Sequence, residues 1–169
     1  LNPLAKVAED GHSWWTVERL GNLDLAALRL LLVQPSYLPS PSHTVVDDET
    51  ILCPRAHELT VEGYNRQTLT GCRVIKDERE MYLETPPEVG FGDLEAGERV
   101  GGAVLYEEAG SDRLSPLLQF WPLRTESGRI PGTNNALFIV PFAPYSATPR
   151  PIRLITVTWS PQRGDPHDD

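Results

Sequence analysis

The sequence predicts a mainly β fold: an antiparallel β-sandwich or barrel-like domain with an extended N-terminal arm and a C-terminal extension. Three observations carry this. Thirteen Gly and sixteen Pro punctuate a chain of 169 residues, which keeps helices short and favours strands joined by turns. About seven or eight short runs, period-two or continuously apolar, recur with turn signals roughly every dozen residues. Those runs outnumber any sustained helical pattern.

Residues 1–24 read as the arm. Asp10-Gly11-His12-Ser13 is turn material, and Ser13 is placed to cap a single helical turn through Glu18 that ends at Gly21. Trp14 and Trp15 are large apolar anchors, packed either on their own domain or on a neighbouring subunit. Residues 25–160 form the single β-rich domain. Its first strand is Leu28–Gln34, where alternating leucines suit burial on one or both faces, and Pro35 closes it. The loop 35–42 is stiffened by Pro35, Pro39 and Pro41. Residues 44–58 read as a short helix or an irregular turn. Arg66–Ile75 alternates like a strand, Lys76–Glu80 is a charged turn, and Met81–Leu83 is a return strand. Val89–Phe91 opens a short strand after Pro86-Pro87. Gly101–Tyr106 is the cleanest buried strand and Pro116–Trp121 its antiparallel partner. Ala136–Phe142 and Ile152–Trp159 supply two more, and residues 161–169 form an acidic tail.

With 40% apolar and 23% charged residues, the chain suits one globular domain and carries too much apolar material for disorder. A net charge of −9 argues against direct nucleic-acid binding, which needs clustered Lys and Arg. No apolar run approaches a membrane span, and the first residues lack the basic-then-apolar layout of a secretion signal. A soluble chain made in the cytoplasm is the expectation. There Cys53 and Cys72 are expected as free, partly buried thiols, although two cysteines allow a pair in principle.

Catalytic and metal signatures are missing. There is no G-x-S-x-G, no H-E-x-x-H, no paired C-x-x-C and no phosphate-binding glycine loop. His57 beside Glu58 reads as an ordinary polar side chain at a strand entry. Terminal His167-Asp168-Asp169 reads as a solvated acidic end, and Arg163-Gly164-Asp165 is too short to imply receptor binding. No enzyme activity, cofactor or metal is expected. Within the central motif, Gly63 after Glu62 suggests a turn. Tyr64 offers a buried ring with a polar tip, and Arg66 can pair with a carboxylate.

Several elements together carry a resemblance. They are Tyr37-x-Pro39, His43-Thr44, Ala56-His57-Glu58-Leu59, Glu62-Gly63-Tyr64-x-Arg66-Gln67-x-Leu69-x-Gly71, Gly102–Tyr106 and Ser115–Phe120. Over about residues 24–121 the chain resembles the small virion structural proteins of tailed bacteriophages, in which a Gly-Tyr-x-Arg element precedes a paired hairpin. The arm and the stretch after residue 122 depart from that pattern. The resemblance implies no active site. It implies a capsid cement or decoration subunit of the virion, assembled in the host cytoplasm and bridging the major capsid protein or other virion proteins as a homo-oligomer. A neck, tail or baseplate component is the alternative within virions. A carbohydrate-binding host-adhesion module, with Trp and Tyr stacking on sugars, is the alternative outside that class.

Overall fold

The computed structural model describes residues 6–7, 11–14, 16–76, 80–142 and 152–158. It is mainly β, with 40% strand against 9% helix, in antiparallel sheets that form a β-sandwich-like domain; the described strands close no barrel. In chain order the strands are β1 (Lys6–Val7), β2 (His12–Ser13), β3 (Leu28–Val33), β4 (Gln67–Thr68), β5 (Arg73–Lys76) and β6 (Glu80–Thr85). They continue with β7 (Glu88–Leu94), β8 (Gly102–Glu107), β9 (Leu117–Arg124), β10 (Ala136–Pro141) and β11 (Ile152–Thr158).

The main sheet runs β1-β9-β8-β3-β4, with β2 also pairing with β9. A two-stranded sheet, β10-β7, and a three-stranded sheet, β11-β6-β5, complete the fold. Alternation along the main sheet divides its side chains between two cores. Leu28, Leu30 and Leu32 of β3, with Ala103 and Leu105 of β8, face the larger core, where Met81, Leu83, Phe91, Leu94, Phe138 and Val140 of the smaller sheets meet them. Leu31, Val33, Val104 and Tyr106 face the opposite way, under Tyr37 and Val46 of the loop that follows β3. Burial on both faces explains the near-continuous apolar run in β3. The β8–β9 register steps where Leu105 pairs with Gln119 and Tyr106 with Leu117, leaving Leu118 unopposed. That bulge shifts the parity of β9, so Leu118 and Trp121 both reach the larger core.

Several expectations are corrected. Thr16, not Ser13, caps the short helix α1 (Val17–Gly21) by accepting from the Arg19 N–H at 3.1 Å. Ser13 is held in the ladder opposite Gln119. The described part of the arm lies on the sheet, with β1 and β2 both paired to β9, and Leu20 is buried in the larger core. The expected strand Arg66–Ile75 is two strands in different sheets. Leu69 and Cys72 both turn into the core, and Gly71, at a φ of 73°, redirects the chain between them. Strand β9 runs through Pro122 instead of ending before it. Leu123 N–H donates to Gly101 O, just before β8, so the neighbouring Pro122 turns the side without a donor away from that ladder. The ambiguous stretch 44–58 is irregular except for one 3₁₀ turn, Pro54–His57. Of the charged turn, residues 77–79 lie outside the described residues, as do Trp159 and the tail 161–169.

Candidate functional site

Arg66 stands at the centre of the most connected polar cluster in the described chain. Its Nε and Nη2 donate to Glu58 Oε2 and Oε1 at 2.6 and 2.8 Å. Its Nη1 and Nη2 donate to Asp112 Oδ1 and Oδ2 at 2.7 and 2.9 Å. The guanidinium also donates to Tyr106 Oη at 3.1 Å and lies 5.4 Å from the centroid of that ring. Tyr64 closes the cluster: its hydroxyl donates to Glu58 Oε2 at 2.7 Å and accepts the Leu32 N–H of β3 at 3.0 Å. Arg55 adds a second bond to Asp112 Oδ2 at 2.7 Å.

Local sequence explains how these groups meet. Gly63 adopts a φ of 88°, and a Cβ there would run into the Asp93 carbonyl oxygen. The left-handed turn it permits throws Tyr64 back over β3 and sends Arg66 toward β8. The electrostatics are mutually reinforcing. Burial opposes charge on Arg66, but hydrogen bonds with Glu58 and Asp112 outweigh it and hold the guanidinium protonated well above its ordinary range. The same Arg66 bonds pull the Asp112 carboxyl down, against burial. Burial, then the Glu58 charge, keep the Tyr64 phenol protonated; burial does the same for Tyr106. Carboxylates so paired and phenols so raised make poor bases and nucleophiles at neutral pH. The cluster is a clamp that ties the end of the loop after β3 to β8 and to the turn carrying Asp112.

That loop holds the second notable arrangement. The His57 ring bridges two strands of loop: Nδ1 lies 2.7 Å from Ser36 Oγ, and Nε2 lies 2.7 Å from Ile51 O. A carbonyl only accepts, so Nε2 carries a proton; in the neutral ring Nδ1 accepts from the Ser36 hydroxyl. Hydroxyl and imidazole touch as a nucleophile and base would. However, the ring is oriented by a backbone carbonyl, and the adjacent Tyr37 N–H is already bonded to Gln34 O at 3.1 Å. That amide is therefore not free to stabilise an oxyanion. Around the bridge, Leu38, Ile51 and Leu52 are 76%, 81% and 59% exposed. Beneath it, Tyr37 and His43 are buried with ring centroids 6.0 Å apart. Tyr37 Oη and His43 Nδ1 have no hydrogen-bond partner among the described residues.

Of the anchors expected from sequence, Trp14 is half-buried against the smaller core of its own domain, and its indole N–H donates to Ser40 O at 3.0 Å. Trp15 lies outside the described residues. Glu62 is exposed and accepts the Glu95 N–H through its carbonyl. With Gly63, Asp93 and Asn135 it lines a shallow hollow of about 400 Å³. Cys53 and Cys72 are both free and buried, and burial pushes the Cys72 thiol up to about 11. Among the described residues no group of three or more His, Cys, Asp and Glu is placed to hold a metal ion. Sequence reasoning pointed to Arg66 and to a carboxylate partner without naming it. Asp112 is 46 residues away and carried no local signal, and Tyr106 read simply as a buried strand residue. The Ser36–His57–Ile51 bridge was equally hidden. Comparison of the chain with protein-family models, curated proteins and solved structures finds no match.

Proposed function

We propose that the chain is a non-enzymatic structural protein of a tailed-bacteriophage virion, a cement or decoration subunit that binds the head and bridges capsid proteins. One observation carries the reading. Four of the residues that carry the resemblance, Glu58, Tyr64, Arg66 and Tyr106, converge on one clamp whose polar atoms bond to one another. A motif engaged in this way stabilises a scaffold and offers little to a substrate. Large apolar side chains are instead exposed on the loop that the clamp secures, as a binding subunit requires.

The experiment is co-sedimentation of the purified chain with heads assembled without it, followed by a low-resolution map of the decorated particle. Saturable binding with added density on the head surface is the expected result. Density at the neck, tail or baseplate instead would favour the other virion role, and absence of binding to any particle would overturn the reading. The carbohydrate-binding alternative finds no comparable support, because the Trp14 ring is half-buried against the smaller core of its own domain.

A further inference from the structure

We infer that the face carrying Leu38, Ile51 and Leu52 is the docking surface of this chain, and that it seats in an apolar groove rimmed by Lys or Arg on a capsid protein. The inference rests on the virion reading and specifies which face makes the contact.

His57 brings together the segments that carry the three side chains. Ser36, two residues before Leu38, bonds one ring nitrogen, and the Ile51 carbonyl bonds the other, each at 2.7 Å. The Tyr37 ring packs beside the same imidazole, with centroids 6.0 Å apart, and edge-on to Phe120 of β9 at 5.4 Å. The exposed leucines and isoleucine therefore stand on a base anchored to the main sheet. A surface fixed in this way loses little conformational entropy on binding.

Charge selects the partner. Residues 36–52 contain Asp47, Asp48 and Glu49 and no Lys or Arg. Asp47 accepts the Glu49 N–H and Asp48 accepts the Thr50 N–H, both at 2.9 Å, so the two carboxylates are fixed beside Ile51. The Thr50 bonds hold the Asp48 carboxyl below its ordinary value, which keeps it ionised. Arg113 is paired with Glu49 and Arg55 with Asp112, which leaves Asp47 and Asp48 as the carboxylates that give this segment its charge. A second copy of the chain would bring like charges together and carries the same net charge of −9. A basic rim around an apolar groove meets both features of the face.

The test compares three proteins in co-sedimentation with heads assembled without the chain: wild type, the triple variant Leu38→Ser/Ile51→Ser/Leu52→Ser, and Leu137→Ser. Leu137 is also exposed, at 50%, but lies on β10, and serves as the control. All three should fold alike, because none of the altered side chains belongs to the buried cores. The triple variant should bind at least about thirtyfold more weakly, as expected for lost interface anchors, while Leu137→Ser binds as wild type. Wild-type binding should also weaken several-fold as NaCl rises from about 0.05 to about 0.5 M. Equal binding by wild type and the triple variant overturns this inference and leaves the virion reading standing. Failure of wild type to bind any particle overturns both. If sedimentation velocity shows wild type as a dimer that the triple variant abolishes, the face belongs to a second copy and the inference is wrong.

Discussion

Arg66 grips both oxygens of Asp112 across 46 residues of chain, at 2.7 and 2.9 Å, while its other edge grips both oxygens of Glu58. One guanidinium thus joins the loop after β3, the Gly63 turn and the turn after β8. Side-chain exposures of 20% for Arg66, 12% for Glu58 and 18% for Asp112 place the cluster at the margin of the interior. There, charge pairs are screened less than on an open surface and cost much to break from one side.

The first prediction follows. Arg66→Met leaves Glu58 and Asp112 with only the more exposed Arg55 between them. The expected loss is about 3 kcal/mol in urea unfolding, with two-state behaviour retained. Arg66→Lys keeps a charge but cannot present a planar fork to two carboxylates, and should recover less than half of the loss. A loss under about 1 kcal/mol for Arg66→Met would mean that the clamp does not hold the fold.

Acid should act through the same clamp. The Asp112 carboxyl lies below its ordinary value of 3.8, chiefly because Arg66 hydrogen-bonds it. Between that ordinary value and the lower folded value, the unfolded chain binds a proton that the folded chain does not, so stability rises with pH. The contribution is complete above the ordinary value and is lost as pH falls through the folded one. Asp48, lowered by its bonds from Thr50, acts in the same direction. Urea midpoints taken at about pH 6 and about pH 3 should fall for wild type. They should fall less for Asp112→Asn, which starts lower because the amide keeps one uncharged acceptor and turns a donor toward the guanidinium.

Two glycines with similar backbones separate torsional strain from steric exclusion. Gly63 and Gly92 have φ values of 88° and 78°. A Cβ on Gly92 meets nothing within 4 Å, whereas one on Gly63 collides with the Asp93 carbonyl oxygen. Gly92→Ala should therefore cost about 1 kcal/mol, the left-handed penalty alone. Gly63→Ala should cost at least about 2 kcal/mol more, because backbone must move to admit the methyl. Thermal melts of the two variants check this; equal losses would mean that the Gly63 turn relaxes without disturbing Asp93.

How much of this was legible in the sequence depends on how local each interaction is. The β3 and β8 runs declared themselves, because burial on both faces writes an unbroken apolar string into the chain. The Gly63 turn was legible for the same reason, since one residue type at one position carries it. The passage of β9 through Pro122 left no such mark, because which side of a strand needs donors is set by its neighbour. Arg66 was recognisable as needing a carboxylate, but 24 acidic residues gave no means of choosing Asp112. The loop after β3 read as stiff from its prolines. That a histidine would fasten it, leaving Leu38, Ile51 and Leu52 in water, depends on contacts between segments that no local pattern encodes.

The final prediction contrasts two buried tyrosines. Tyr64 Oη accepts the Leu32 N–H and donates to Glu58, at 3.0 and 2.7 Å. Tyr37 Oη is buried with no partner among the described residues, and burial drives its phenol above the ordinary value. Removing a satisfied hydroxyl strands the groups it served; removing an orphaned one relieves a desolvation penalty. Tyr64→Phe should thus lose about 1–3 kcal/mol, since the Leu32 N–H loses its acceptor and Glu58 Oε2 keeps only its bond from Arg66. Tyr37→Phe keeps the ring against Phe120, and its stability should stay within about 0.5 kcal/mol of wild type or rise by about 1 kcal/mol. The two variants are compared by urea unfolding at neutral pH. If Tyr37→Phe costs as much as Tyr64→Phe, the Tyr37 hydroxyl has a bonding partner in solution, and the core beneath Leu38 and Ile51 is more polar than its side chains imply.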